Sequence, residues 1–253
     1  MSEKTRDAPV AGILFGVALL AIWEAVSRGG LVSPNFLPAP STVASTLAEM
    51  VLQRDLLWHA GVSTLRVWSA FLIAAAMAIP LGIMMGSFPL VGRALEPTID
   101  FIRYLPVPAL VPLSIIWFGV GEATKLFLLW LGTFFQLVLL VADDVRRVPA
   151  EYQEVAATLG APRRRALLDV SLPAMLPTLV DNLRVTLGWC WSYVIVAEIV
   201  AADSGVGFVI WQARRFFKTP EVMAGVVAIG IIGLATDQAL RWLHWRWFAY
   251  LRR

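Results

Sequence analysis

Hydrophobic positions in this chain come in long, nearly unbroken runs separated by short polar segments, the pattern of helices that are apolar on every side. Six runs approach the ~20 residues needed to cross about 30 Å of hydrocarbon: residues 10–26, 61–86, 99–119, 125–142, 176–201 and 222–243. The pattern predicts an all-α, polytopic membrane protein built as a single domain over residues 1–253. Lys4 and Arg6 precede the first run as in a signal peptide, but no small-x-small cleavage pattern follows, so an uncleaved anchor is expected. The third run is irregular. Pro106, Pro108 and Pro112 interrupt it. Each removes a backbone donor, so this segment is expected to be kinked or broken and packed against protein or a water-filled path.

One polar island breaks the pattern, residues 151–173, EYQEVAATLGAPRRRALLDVSLP. Tyr152, Val155, Ala156 and Leu159 recur at i, i+3, i+4 and i+7, which predicts a short helix with one apolar face. Gly160 suits the left-handed position that closes such a helix, and Pro162 stands just beyond it. A second helical run is expected from Arg163, stopping at Pro173. A compact amphipathic helix held in a loop between spans reads as a docking knob for another protein; the plainer reading is a surface helix lying on the membrane.

Composition agrees with the pattern. Apolar residues make up 58% and charged residues 15%, against roughly a quarter charged in soluble domains. The net charge of +3 is small and unevenly spread, which points away from nucleic acid. Cys190 is the single cysteine and has no internal disulfide partner. With six spans, both termini share a side with Arg93, Arg146, Arg147, Arg163, Arg164, Arg165, Arg241, Arg246, Arg252 and Arg253. The other side holds Arg28, Arg54, Lys125, Arg214, Arg215 and Lys218. The richer set is expected to be cytoplasmic, which places both termini and the island there. Trp242, Trp245, Trp247 and Tyr250, set among arginines, read as an anchor at the lipid interface.

The chain contains no Gly-x-x-x-x-Gly-Lys-Ser/Thr phosphate loop and no His-Glu-x-x-His, and His59 and His244 lie far apart. An enzyme is not expected, nor a bound metal or cofactor. Glu24, Asp181, Glu198 and Asp237 fall in or near the spans, where acids mark ion-coupled carriers. A secondary carrier or channel using Glu198 or Asp237 is therefore the competing reading. A paired or helix-end charge is the simpler account of each, and there is no duplicated half of the kind such carriers carry.

The island's spacing resembles the cytoplasmic motif of ATP-binding-cassette (ABC) importer permeases: Glu-Ala-Ala, three residues, Gly, nine residues, then Ile-x-Leu-Pro. Glu154, Val155, Ala156, Gly160, Val170, Leu172 and Pro173 match it, with Val155 and Val170 as the departures. Further segments are similar to permeases of nitrate, taurine, alkanesulfonate and bicarbonate importers: Leu37-Pro-Ala-Pro40, Tyr104 to Pro112 leading to Trp117-Phe-Gly119, and Ala197-Glu198 leading to Asp203-Ser-Gly-Val-Gly207-Phe208. The resemblance implies a type I permease fold whose loop at about 143–173 carries a coupling helix, with Glu154, Val155, Ala156, Ala157, Gly160, Leu172 and Pro173 as coupling residues. It implies a homodimer in a bacterial inner membrane, two cytoplasmic ATPases that bind ATP and Mg, and a periplasmic or lipid-anchored binding protein. The implied cargo is a small anion, although related permeases also serve thiamine precursors and riboflavin. Arg103, Pro106, Pro108, Trp189, Tyr193 and Glu198 are candidates for the path, and Arg184 for an anion contact. Arg103 and Arg184 read more simply as positive anchors near the cytoplasmic face, and Trp189 and Tyr193, i and i+4, as packing residues.

Overall fold

The computed structural model describes residues 7–201 and 203–249. Lys4, Arg6, Tyr250, Arg252 and Arg253, expected to orient or anchor the chain, lie outside them. The elements are α1 (Asp7–Arg28), α2 (Pro40–Gln53), α3 (Leu56–Ser87), α4 (Pro89–Arg103), a 3-10 turn (Val107–Leu110), α5 (Val111–Phe118), α6 (Glu122–Arg146) and α7 (Ala150–Thr158). The chain continues through the single turn α8 (Arg163–Arg165), a π-helical stretch (Ala166–Ser171), α9 (Leu172–Ala201), α10 (Val206–Arg215) and α11 (Thr219–Trp247). Five helical runs, α1, α3, α6, Ala166–Val200 and α11, are long and apolar enough to cross a membrane. A sixth crossing is the pair α4 and Val107–Phe118, bent by 85°.

The bend falls at Tyr104-Leu105-Pro106, where the prolines of this segment interrupt the backbone ladder. The crossing begins at Pro89, well before the apolar run at 99. Its first half, α4, is amphipathic and sends Glu96 to Arg146 at 2.7 Å, so hydropathy alone misses it.

α3 and α6 run parallel in close contact. Ala70, Ala74, Ala78, Gly82 and Gly86 follow one another every fourth residue on the buried side of α3. A methyl group on Gly82 would lie 2.6 Å from Val138 O and Val141 Cβ, and one on Gly86 would lie 2.6 Å from Val145 Cβ. Small residues replace the missing hydrophobic drive between membrane helices with close van der Waals approach. α9 runs antiparallel beside them, its Tyr193 ring packed on Gly132 and its Asn182 Nδ2 donating to both Asp144 oxygens at 2.8 Å. α11 returns along α9, with Gly233 against Trp191.

α1 stands apart, exposed along most of its length and fastened at its far end. Trp23 Nε1 donates to Pro38 O at 3.1 Å and Ser27 Oγ to Leu37 O at 2.7 Å. The Ser41 N–H and hydroxyl donate to the Glu24 carboxylate at 3.1 and 2.7 Å. The Leu-Pro-Ala-Pro segment thus starts α2 and clips it to α1, with Glu24 accepting an otherwise unsatisfied helix N–H.

The second helical run of the island does not stop at Pro173. It passes through the π stretch into α9 without a break. Pro173 is the second residue of α9, where the ladder has just changed register, so a missing N–H does little harm.

Candidate docking helix and translocation surface

α7 ends in a Schellman closure. Gly160, at φ 76°, donates its N–H to Ala157 O at 2.9 Å, and Ala161 N–H reaches Ala156 O at 2.9 Å. The expected apolar stripe divides. Ala156 is buried against the π stretch, whereas Tyr152, Val155 (59% exposed) and Leu159 (81% exposed) face away from the chain. Glu154 and Ala157 are exposed beside them. Gln153 Nε2 approaches Ser171 Oγ at 3.4 Å, and Leu172 and Pro173 lead directly into α9. Behind α7, a cavity of about 510 Å³ reaches Gly86, Arg146 and Arg164.

At the opposite end of the bundle, Glu198 is fully buried and Arg66 is 4% exposed. The Arg66 Nη1 donates to Glu198 Oε1 at 2.9 Å and to Ser204 O at 2.7 Å. Nη2 meets Ser204 Oγ at 2.8 Å, and the Nε–Nη2 edge grips Glu122 at 2.7 and 2.6 Å. Ser63 Oγ donates to the Glu198 carboxylate at 2.8 Å, and Gly207 N–H donates to its other oxygen at 2.8 Å. Glu198 therefore caps the start of α10, where an anion is favoured. Gly205, at φ 106°, and Gly207 are required because a side chain at either would strike Glu198. The Ser204 hydroxyl, and then Lys125, hold the exposed Asp203 carboxyl below its ordinary range. Glu198 is thus a fastening between α3, α6, α9 and α10 and does not face an open path.

The other path candidates separate. Arg103, Trp189 and Tyr193 come together around a cavity of about 50 Å³, with Gly132 and Gln136 of α6. Arg103 is not near the island end as expected: its Nη1 lies 3.4 Å from Gln136 Oε1, midway along α6. Pro106 and Pro108 shape the elbow and are exposed, outside that cavity's lining. Arg184 is occupied by Asp237 at 2.6 Å and Asp181 at 3.0 Å, between α9 and α11. Arg66 was not among the expected site residues, although it is the sole Lys, Arg, Asp or Glu between 56 and 87.

Residues 78–247 match the model of the binding-protein-dependent transport system inner membrane component. The chain belongs to this family. It is 34% identical over 241 residues to the putative aliphatic sulfonates transport permease protein SsuC of Bacillus subtilis, covering 95% of this chain and 87% of that protein. It is 36% identical over 233 residues to the taurine transport system permease protein TauC of Escherichia coli, covering 90% and 85%. It is 31% identical over 251 residues to the bicarbonate transport system permease protein CmpB of Synechococcus elongatus, covering 94% and 88%. The fold matches a chain from an inward-facing structure of the MetNI methionine ABC transporter, with a TM-score of 0.62, 18% identity, and coverage of 77% of this chain and 97% of that one. The permease fold and the importer family expected from the island and the Glu198 segment therefore hold. This chain is the multi-pass inner-membrane permease subunit of an ABC importer.

Proposed function

We propose that two copies of this permease enclose a path for a small oxyanion-bearing molecule at their two-fold interface. α7 of each copy seats in a groove on a cytoplasmic ATPase that binds ATP and Mg, and a periplasmic or lipid-anchored binding protein delivers the cargo. Both termini lie on the ATPase side. The outward-facing Tyr152, Val155 and Leu159 carry this reading, because they sit on a helix with a fixed end that continues into α9. An apolar stripe rimmed by polar residues calls for a protein partner. Support for the cargo comes from the relatives, whose names specify aliphatic sulfonates, taurine and bicarbonate. Support for the orientation comes from the arginines beside α7.

The carrier reading has no observation in its favour, since Glu198 is held by Arg66 and Asp237 by Arg184. Affinity purification from native membranes in mild detergent, followed by native mass measurement, tests the proposal. Two copies of this chain with two ATPase subunits are expected. Recovery of the chain alone, moving solute in liposomes without ATP, would overturn it.

A further inference from the structure

The guanidiniums of Arg66, Arg184 and Arg103 differ in what holds them and in depth. Arg66 is saturated by Glu122, Glu198 and Ser204. Arg184 is taken by two carboxylates. Arg103 is different. Its Nε is fixed by Asp100 Oδ1 at 2.8 Å, but Nη1 and Nη2 rest on neutral acceptors, Gln136 Oε1 at 3.4 Å and the Tyr104 hydroxyl at 3.1 Å.

Its depth matters as much as its partners. Gln136 stands ten residues from the island end of α6 (Glu122–Arg146), about 15 Å at 1.5 Å per residue. A charge at such depth is costly and is kept where it serves a path or a pair. Asp100 makes the resting cost tolerable by pairing one edge, which leaves the Nη edge on weak, exchangeable bonds. An oxyanion offers that edge shorter, charge-assisted bonds, roughly twice as strong as the neutral ones they replace. Trp189 and Tyr193 flank Arg103. The cavity beside them, about 50 Å³, admits water and no more, so cargo must meet Arg103 on its exposed side, which this chain alone leaves open.

We propose that Arg103 is the residue that reads the anionic headgroup of the cargo at mid-membrane, with Asp100 as its positioning residue. The inference rests on the oxyanion-importer reading above. Asp100 also opposes the anion, which keeps the contact weak, as passage requires: favourable enough to enter, loose enough to leave.

The test uses the intact importer, with its ATPase and binding protein, in liposomes and a radiolabelled alkanesulfonate as probe. Arg103→Gln, Arg103→Lys and the exchanged pair Asp100→Arg with Arg103→Asp are compared. The exchange preserves an i,i+3 ion pair but moves the cation. Arg103→Gln and the exchange are expected to assemble and to hydrolyse ATP, with uptake reduced about tenfold or more, the scale of one lost charge-assisted hydrogen bond. Arg103→Lys is expected to recover part of it. Parental uptake by the exchanged pair would overturn the proposal, and so would failure of that variant to assemble, which would make the pair structural. Absence of ATP-driven sulfonate uptake by the parental complex would instead overturn the cargo reading itself.

Discussion

Glu198 is accommodated in full burial because donors surround its carboxylate: Arg66, Ser63 and the Gly207 N–H. Removing one side of such a pair leaves an uncompensated charge, a loss of about 3–5 kcal/mol. Arg66→Met is therefore expected to lower the thermal unfolding midpoint sharply, and adding Glu198→Gln to that variant should restore part of the loss. Buried Cys190 supplies the readout, since its thiol meets a maleimide only when the bundle opens. Gly205→Ala should act in the same direction by driving a methyl group into the Glu198 carboxylate; a midpoint equal to that of the parent would refute the fastening role. The acid itself was legible as a residue near the end of a span. Its partner was not, because Arg66 lies 132 positions away. A lone arginine inside an apolar helix is a request for a buried acid, and that signal was available in the chain.

At the scale of the element, α7 was readable because 3.6-residue periodicity and a closing glycine act locally. The division of its stripe, Ala156 inward and Val155 and Leu159 outward, depends on the π stretch beneath it and has no local signature. Val155→Asp and Leu159→Asp are expected to abolish ATP-coupled uptake while leaving the unfolding free energy of the isolated permease within about 0.5 kcal/mol of the parent, as surface changes do. A bulky side chain at Ala156 should instead unseat α7 from its own bundle, with normal membrane insertion and lost coupling. Gly160→Val forces a β-branched residue to φ 76°, at a cost of about 1–2 kcal/mol or more, and the same uncoupling is expected. Normal ATP-driven uptake by the Ala156 or Gly160 variants at normal expression would refute the docking role of α7. The expected stop at Pro173 is absent for a physical reason: proline breaks a regular helix, and here the ladder is already out of register when the chain reaches it.

For the molecule as a whole, five crossings announce themselves by length and apolarity, and the prolines announce the bend in the sixth; only its first half, α4, escapes the pattern, because it is amphipathic and carries Glu96, which pairs with Arg146. The small-residue ladder of α3 was also open to reading from its four-residue spacing, whereas its partner α6 emerges only on folding. The bundle is uneven in consequence. Alanine at Leu137, fully buried, is expected to cost about 2–5 kcal/mol. Alanine at Phe15 or Leu19, both exposed on α1, is expected to shift the midpoint little, as measured by Cys190 labelling.

That unevenness has a mechanical meaning. Ala166–Val200 is one helical run of 35 residues, about 50 Å long at 1.5 Å per residue, rooted under α7 and pinned near its far end by Glu198. With α3 and α6 interlocked beside it at methyl-scale tolerance, this post resists bending along its length. Compliance is left to the places where the backbone ladder is already interrupted, the π stretch and Pro177 in its lower part and the elbow at residues 104–110. A load applied at α7 is therefore expected to tilt the post above that segment as a stiff body and to change the angle at the elbow, next to Arg103.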